Sequence, residues 1–159
     1  MLGKTTNQIL MKTEAAVSAK VPAALKGAFQ KAVLAGEKIM YSPGGMKVFK
    51  EIVAKSPDIP SNVAEGAAKV MREMMIQSKM TISMKVAVPA ATVLMCEGLD
   101  FLEKAGKIQV TNDVVAEATK DLGAYMMKIV GVTADKLNQM QQQKQQPAAK
   151  PRGILNQGA

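Results

Sequence analysis

The residue types that usually do chemistry are sparse in this chain, and where they occur their spacing works against them. There is no histidine, which removes the commonest general base, the Ser–His and Cys–His nucleophilic pairs and the commonest metal ligand. Ser83 and Lys85 are the residue types of a Ser–Lys pair, but two residues apart on a helix they point away from each other. Asp100 with Glu103, and Asp113 with Glu117, are carboxylate pairs at helical spacing with lysines close by. That pattern reads as a solvated helix face rather than an acid–base couple. The stretches AGEK and AGKIQ lack both the glycine spacing of a phosphate loop and the Ser or Thr after its lysine. The one cysteine, Cys96, allows no intrachain disulfide and no thiolate cluster. It lies in an apolar run, where a thiol acts as a small hydrophobe and suits a reducing compartment. The expectation is a protein that is not an enzyme and carries no cofactor and no metal.

Few aromatics and many Ala, Leu, Val and Met point to helices as the elements that must position everything else. Hydrophobic residues make up 48% of the 159-residue chain and aromatic residues 3%, with thirteen Met and no Trp. Sheets lean on aromatic and β-branched residues, whereas this composition favours helix. The length suits one domain with a tail. Methionine at this density reads first as adaptable core packing and second as a face for other subunits.

The net charge of +8 is unevenly placed. Residues 1–57 carry nine Lys against three acids, for +6, and residues 136–159 carry three Lys and one Arg without an acid, for +4. Between them, residues 58–135 hold ten acids against eight cations, for −2. Basic ends suit a polyanion, and Lys4, Lys12, Lys20, Lys144, Lys150 and Arg152 are the candidate contacts. With only two Arg and few aromatics, base readout and strand stacking are not expected, which leaves loose contact with phosphates.

Helical spacing recurs along the chain. A weak stripe (Ile9, Leu10, Thr13, Ala16, Val17) covers residues 6–20, and Pro22 stands where a first-turn proline opens the next helix. In that helix Leu25, Ala28, Phe29, Ala32, Gly36, Ile39 and Met40 recur at three- and four-residue spacing, and the other face is mostly Lys, Gln and Glu. SPGG at 42–45 reads as a turn, MKVFKEIVAK as a short helix, and SPDIPSN as a break. Asn62 with Glu65 predicts a capping box opening a helix whose inner face holds Val63, Ala67, Val70, Met71 and Met74.

The most apolar segment is KVAVPAATVLMCEGLDFLEKAGK, residues 85–107. Eleven uncharged residues separate Lys85 from Glu97, too few for the ~20 of a membrane span. The segment reads as a buried or subunit-facing helix kinked or started at Pro89, with a short strand at 81–88 as the alternative. Glu97, Asp100, Glu103 and Lys104 form its expected wet side, and Gly106 its stop. Thr111 predicts the cap of the next helix, which Gly131 closes, and Thr133 with Asp135 predicts a further cap.

Two domains of description follow: a helical domain over 1–140, and a basic, low-complexity, Gln/Pro-rich tail over 141–159 that does not fold alone. The fold class is all-α, a compact bundle of about five to six amphipathic helices. Candidate interaction residues are Met71, Met74, Leu94, Met95, Phe101 and Leu102, with Ile154 and Leu155 as an anchor in the tail.

The segments MYSPGGMKVFKEIV and VPAATVLMCEGLDFLEKAGKIQVT, with the Gln-rich basic end, resemble small helical virion proteins of tailed bacteriophages. The resemblance rests on Tyr41–Ser42–Pro43, Pro89–Ala90–Ala91 and Asp100–Phe101–Leu102–Glu103 and spans roughly residues 35–135. It implies a structural or internal, ejected component present in many copies, located in the virion and made in the host cytoplasm. Its partners would be other virion proteins in a homo- or hetero-oligomer, with non-specific DNA contact, and a membrane only for an ejected component. The alternative is a small basic DNA-associated protein that binds phosphates without base readout.

Overall fold

The computed structural model describes residues 5–131 and Gln142. Six α-helices occur among them: α1 (Gln8–Lys20), α2 (Lys26–Met40), α3 (Pro43–Ala54), α4 (Ile59–Gln77), α5 (Met84–Lys104) and α6 (Asn112–Ile129), with a 3-10 turn at Ala23–Leu25 before α2. There is no strand among the described residues, so the fold is the expected all-α bundle and residues 84–88 of the suggested strand are helical. No helix among them is long and apolar enough to cross a membrane.

The bundle is built around α5. Helices α2, α4, α1 and α6 all pack on it, α4 packs most extensively on α6, and α3 leans on α4. Central position explains the lack of a continuous polar side in the sequence of α5: a helix covered from several directions is apolar nearly all round. Pro89 lies in its sixth helical position and the helix runs on past it, so Pro89 neither starts nor ends the element. The missing N–H leaves one turn short of a bond, and Val86, Ala87, Ala90 and Ala91 around it are buried and hold the turn by packing.

Three boundaries differ from the sequence reading, each for a capping reason. SPGG is not a separate turn: Ser42 caps α3, its hydroxyl accepting from the Gly45 N–H at 3.0 Å, and Pro43 takes the first helical position. Gly45 is needed there because a Cβ would run into the Ile39 carbonyl at the end of α2. The cap of α4 is Asp58, whose carboxylate accepts from Ser61 N–H at 3.2 Å. Pro60 falls in the first turn, where its absent N–H would lack an intrahelical partner anyway. Asn62 is therefore inside the helix and buried; its amide donates to the Ser56 carbonyl at 2.9 Å, tying the α3–α4 connection to α4. Pro22 precedes the 3-10 turn rather than entering α2 directly.

Other signals were accurate. Thr111 caps α6 through Val114 N–H. Gly106 ends α5 at φ +67, with its own N–H bonded to Glu103 O and that of Lys107 to Leu102 O, the paired bonds of a left-handed helix stop. Gly131 closes α6 at φ +70. Helix α4 ends by the same bond pattern without a glycine: Lys79 and Met80 take φ of 52 and 62. Thr133, Asp135 and, apart from Gln142, the tail lie outside the described residues.

Candidate functional site

Helices α1 and α2 both lean on α5 and barely touch each other. The space they leave is an open groove of about 590 Å³, walled by Met11, Glu14 and Ser18 from α1 and by Gln30 and Leu34 from α2. Its floor is Phe29 and Val93. On α1 the groove residues Met11, Glu14, Ala15 and Ser18 follow three- and four-residue spacing and so share one face. Small Ala15 and Ser18 cannot reach α2, which keeps the groove open. Met11 is 50% exposed and Leu34 56% exposed, so two large apolar side chains stand at its rim in water.

One end of the groove adjoins a cluster of carboxyl groups from three helices: Glu14 of α1, Glu37 of α2, and Glu97 and Asp100 of α5. Asp100, expected on a wet face, is 3% exposed. Its Oδ1 accepts from the backbone N–H of Thr6 at 3.0 Å and of Asn7 at 3.2 Å, and Lys104 pairs with Oδ2. Burial works to raise its pKa, but these donors and the lysine outweigh it and hold the carboxyl below its ordinary range. Glu103 accepts from the Asn7 side chain at 2.7 Å and from Val110 N–H at 2.9 Å. The Asp100–Glu103 pair therefore anchors the start of α1 and the α5–α6 connection. It is a structural clamp rather than a solvated pair.

Glu97 is the opposite case. Its Oε2 is shut off from water and accepts no hydrogen bond. Burial first, and then the adjacent Glu37 carboxyl with Glu14 and Asp100, push its pKa far above the ordinary carboxylate range. Two ionised carboxylates cannot share a hydrogen bond, so the closeness of Glu37 favours the protonated form of Glu97. Glu14 is raised by burial, against the Thr5 hydroxyl that donates to it at 2.7 Å. Tyr41 is raised by burial and by the same acids. Among the described residues no three acidic or thiol groups converge as a metal ion requires. What the cluster can do is hold protons.

The candidate interaction residues fall into three places. Leu94, Met95 and Met71 are wholly buried, and Leu102 and Met74 nearly so, all in the chain's own core. Their apolar spacing is spent within the chain, because α5 is central rather than peripheral, so this part of the site assignment is corrected to core. Phe101 is half-buried and meets Phe49 edge-on at 6.3 Å. Ile154 and Leu155 lie outside the described residues. Among the polyanion candidates, Lys12 and Lys20 are exposed on α1, while Lys4, Lys144, Lys150 and Arg152 lie outside the described residues. Cys96 is fully buried, and burial pushes its thiol up to about 12. Ser83 and Lys85 are both exposed at the start of α5.

Sequence reading passed over Met11 and Leu34. A signal for Leu34 was present: it is an apolar residue at i+4 from Gln30 and i−4 from Lys38, on the otherwise polar face of α2. Met11 had no such contrast, since α1 shows too weak a stripe to define a wet side. Comparison with family models, with curated proteins and with solved structures finds no match.

Proposed function

We propose that this chain is a non-enzymatic structural subunit of a virus particle, of the kind found in tailed-phage virions at the head–tail region or as an internal, ejected component. It assembles on neighbouring subunits through its helix surfaces and its tail. The observation that supports this reading is the α1–α2 groove: an apolar floor, two walls with no charged group other than Glu14, and Met11 and Leu34 held out in water. Exposed apolar side chains gathered around a concavity are a recognition surface, because covering them gains the hydrophobic free energy that folding left unused. The resemblance of the 40–53 and 88–111 segments to virion proteins supplies the particle.

The test is the native mass of nuclease-treated protein by light scattering at low and high salt. A discrete multimer that survives high salt, and is lost in Leu34→Asp and Met11→Asp, is the expected result. Association that disappears as salt rises would instead favour the alternative of a basic protein held on phosphates. A monomer at both salts, unchanged by either substitution, would remove self-assembly through the groove.

A further inference from the structure

Between them, α4 and α6 leave a second, smaller cavity of about 270 Å³. Lys69, Arg72 and Glu65 of α4 and Tyr125, Lys128 and Ile129 of α6 line it. Three cations thus face one carboxylate, and that carboxylate is already engaged. Glu65 binds Lys69 at 2.8 Å and Lys55 at 3.7 Å. Neither Arg72 nor Lys128 has an acid within ion-pairing distance among the described residues. Lys69 and Arg72, three residues apart on one helix, repel each other. The Lys128 ammonium is placed over the Tyr125 ring, 5.4 Å from its centre, and the Tyr125 hydroxyl is 3.3 Å from the Ser61 hydroxyl, which fixes the ring across the cavity.

We propose that this cavity binds a phosphate group. Arg72 supplies the planar fork that matches two phosphate oxygens, and Lys128 and Lys69 supply point charges on either side. The Glu65 carboxylate already spends its two oxygens on Lys69 and Lys55, whereas the additional oxygens and charge of a phosphate suit the three cations of the cavity together. The cavity is smaller than the ~300–1,000 Å³ of pockets that enclose whole small molecules, so it takes the group and leaves the rest of its bearer outside. The site stands in the slightly acidic central part of the sequence, on residues that net charge alone does not single out, and it is independent of the assembly reading.

The experiment is a backbone amide NMR titration of the full chain with sodium phosphate, against sodium chloride at matched ionic strength. Saturable shifts confined to residues 65–72 and 125–129, present with phosphate and absent with chloride, are expected. Arg72→Gln should weaken the binding at least tenfold and Lys128→Gln less, while Lys12→Gln and Lys20→Gln on α1 leave it unchanged. Arg72 and Lys128 are exposed, and an otherwise unaltered spectrum shows that each variant is folded. Shifts that follow ionic strength, that spread over the exposed lysines generally, or that persist in Arg72→Gln overturn the proposal. A parallel arm with a twelve-residue oligothymidylate separates the sources. The same shifts there place the group on a nucleic-acid backbone; shifts with inorganic phosphate alone place it on a free or terminal phosphate.

Discussion

Helices α5 and α1 pack against each other and are held in the bundle by opposite means. Of the 21 residues of α5, thirteen are buried, and its one ion pair among the described residues is Asp100 with Lys104. Of the 13 residues of α1, Leu10 alone is buried. What fixes α1 instead is a set of polar bonds at its start: Thr6 and Asn7 on Asp100, Asn7 on Glu103, and Thr5 on Glu14. The difference teaches where the chain can respond to its surroundings. Apolar contacts carry no titratable group and do not themselves respond to pH. Contacts made on carboxylates do, at the start of α1 and at Glu97 of α5 alike, and α1 is also one wall of the groove. The same contrast explains why Pro89 is tolerated. A proline inside a helix costs about 3 kcal/mol, which two or three fully buried side chains of α5 offset at ~1.5–3 kcal/mol each.

The comparison is broken most severely from the α5 side. Leu94 is fully buried against Gly36 of α2, so Leu94→Ala should destabilise the whole chain by about 2–5 kcal/mol. Urea unfolding followed by circular dichroism should show one transition at a lower midpoint. From the α1 side, Asp100→Ala leaves the Thr6 and Asn7 amides and the Lys104 charge without their acceptor, at a cost of about 1–3 kcal/mol. Here the effect should be local: amide exchange speeds up across residues 6–20 and stays slow in α4 and the middle of α5. Uniform acceleration in Asp100→Ala would mean that α1 is not a separate unit of stability.

A smaller effect sharpens the account of close packing in the core. A Cβ at Gly36 would run into the Leu94 methyl groups, the movable end of a flexible side chain. Gly36→Ala alone should therefore lose part of what Ala gains in helix propensity to crowding. In the Leu94→Ala background the methyl has room. The double variant should be more stable than the sum of the two single changes by roughly 1 kcal/mol, which a double-mutant cycle in urea reads directly. Strict additivity would show that the two helices separate to relieve the contact.

The elements that were legible in the sequence are those with a strong period or a strong cap. The α2 stripe, the Thr111 cap and the Gly106 stop each state their structure locally. What was not legible depended on the direction a face points once several helices surround it. Leu94 and Met95 look the same in sequence whether they meet another subunit or the rest of their own chain, and only the central placement of α5 decides. Asp100 looks solvated because Lys104 follows it by one turn; the donors that bury it come from Thr6 and Asn7, more than ninety residues away. The same holds for the carboxyl cluster, whose members come from three helices and have no common spacing. The turn at Lys79 and Met80 was missed because positive φ is normally announced by glycine or asparagine, and neither is present.

The carboxyl cluster gives the smallest effect and the clearest sign. Glu97 has a folded-state pKa well above its ordinary 4.5, because burial and the neighbouring Glu37 disfavour its charged form. The folded state therefore holds a proton that the unfolded chain releases. The associated stability is fully present below about pH 4.5 and is lost as pH rises through the folded-state value. Asp100, lowered by its donors and Lys104, acts in the other direction: its contribution is present above the ordinary 3.8 and is lost as pH falls. Stability should peak in mildly acidic solution and decline towards alkaline pH. Comparing urea midpoints at pH 5.5 and 8.5, the wild-type chain should lose on the order of 1 kcal/mol, a figure reduced by solvent screening of this half-buried site. Glu97→Gln keeps an amide donor for Glu37 and has no proton to release, so it should remove most of that difference while Leu94→Ala leaves it intact. If Glu97→Gln retains the full pH dependence, the titration belongs to another group and the junction of α1, α2 and α5 is not its source.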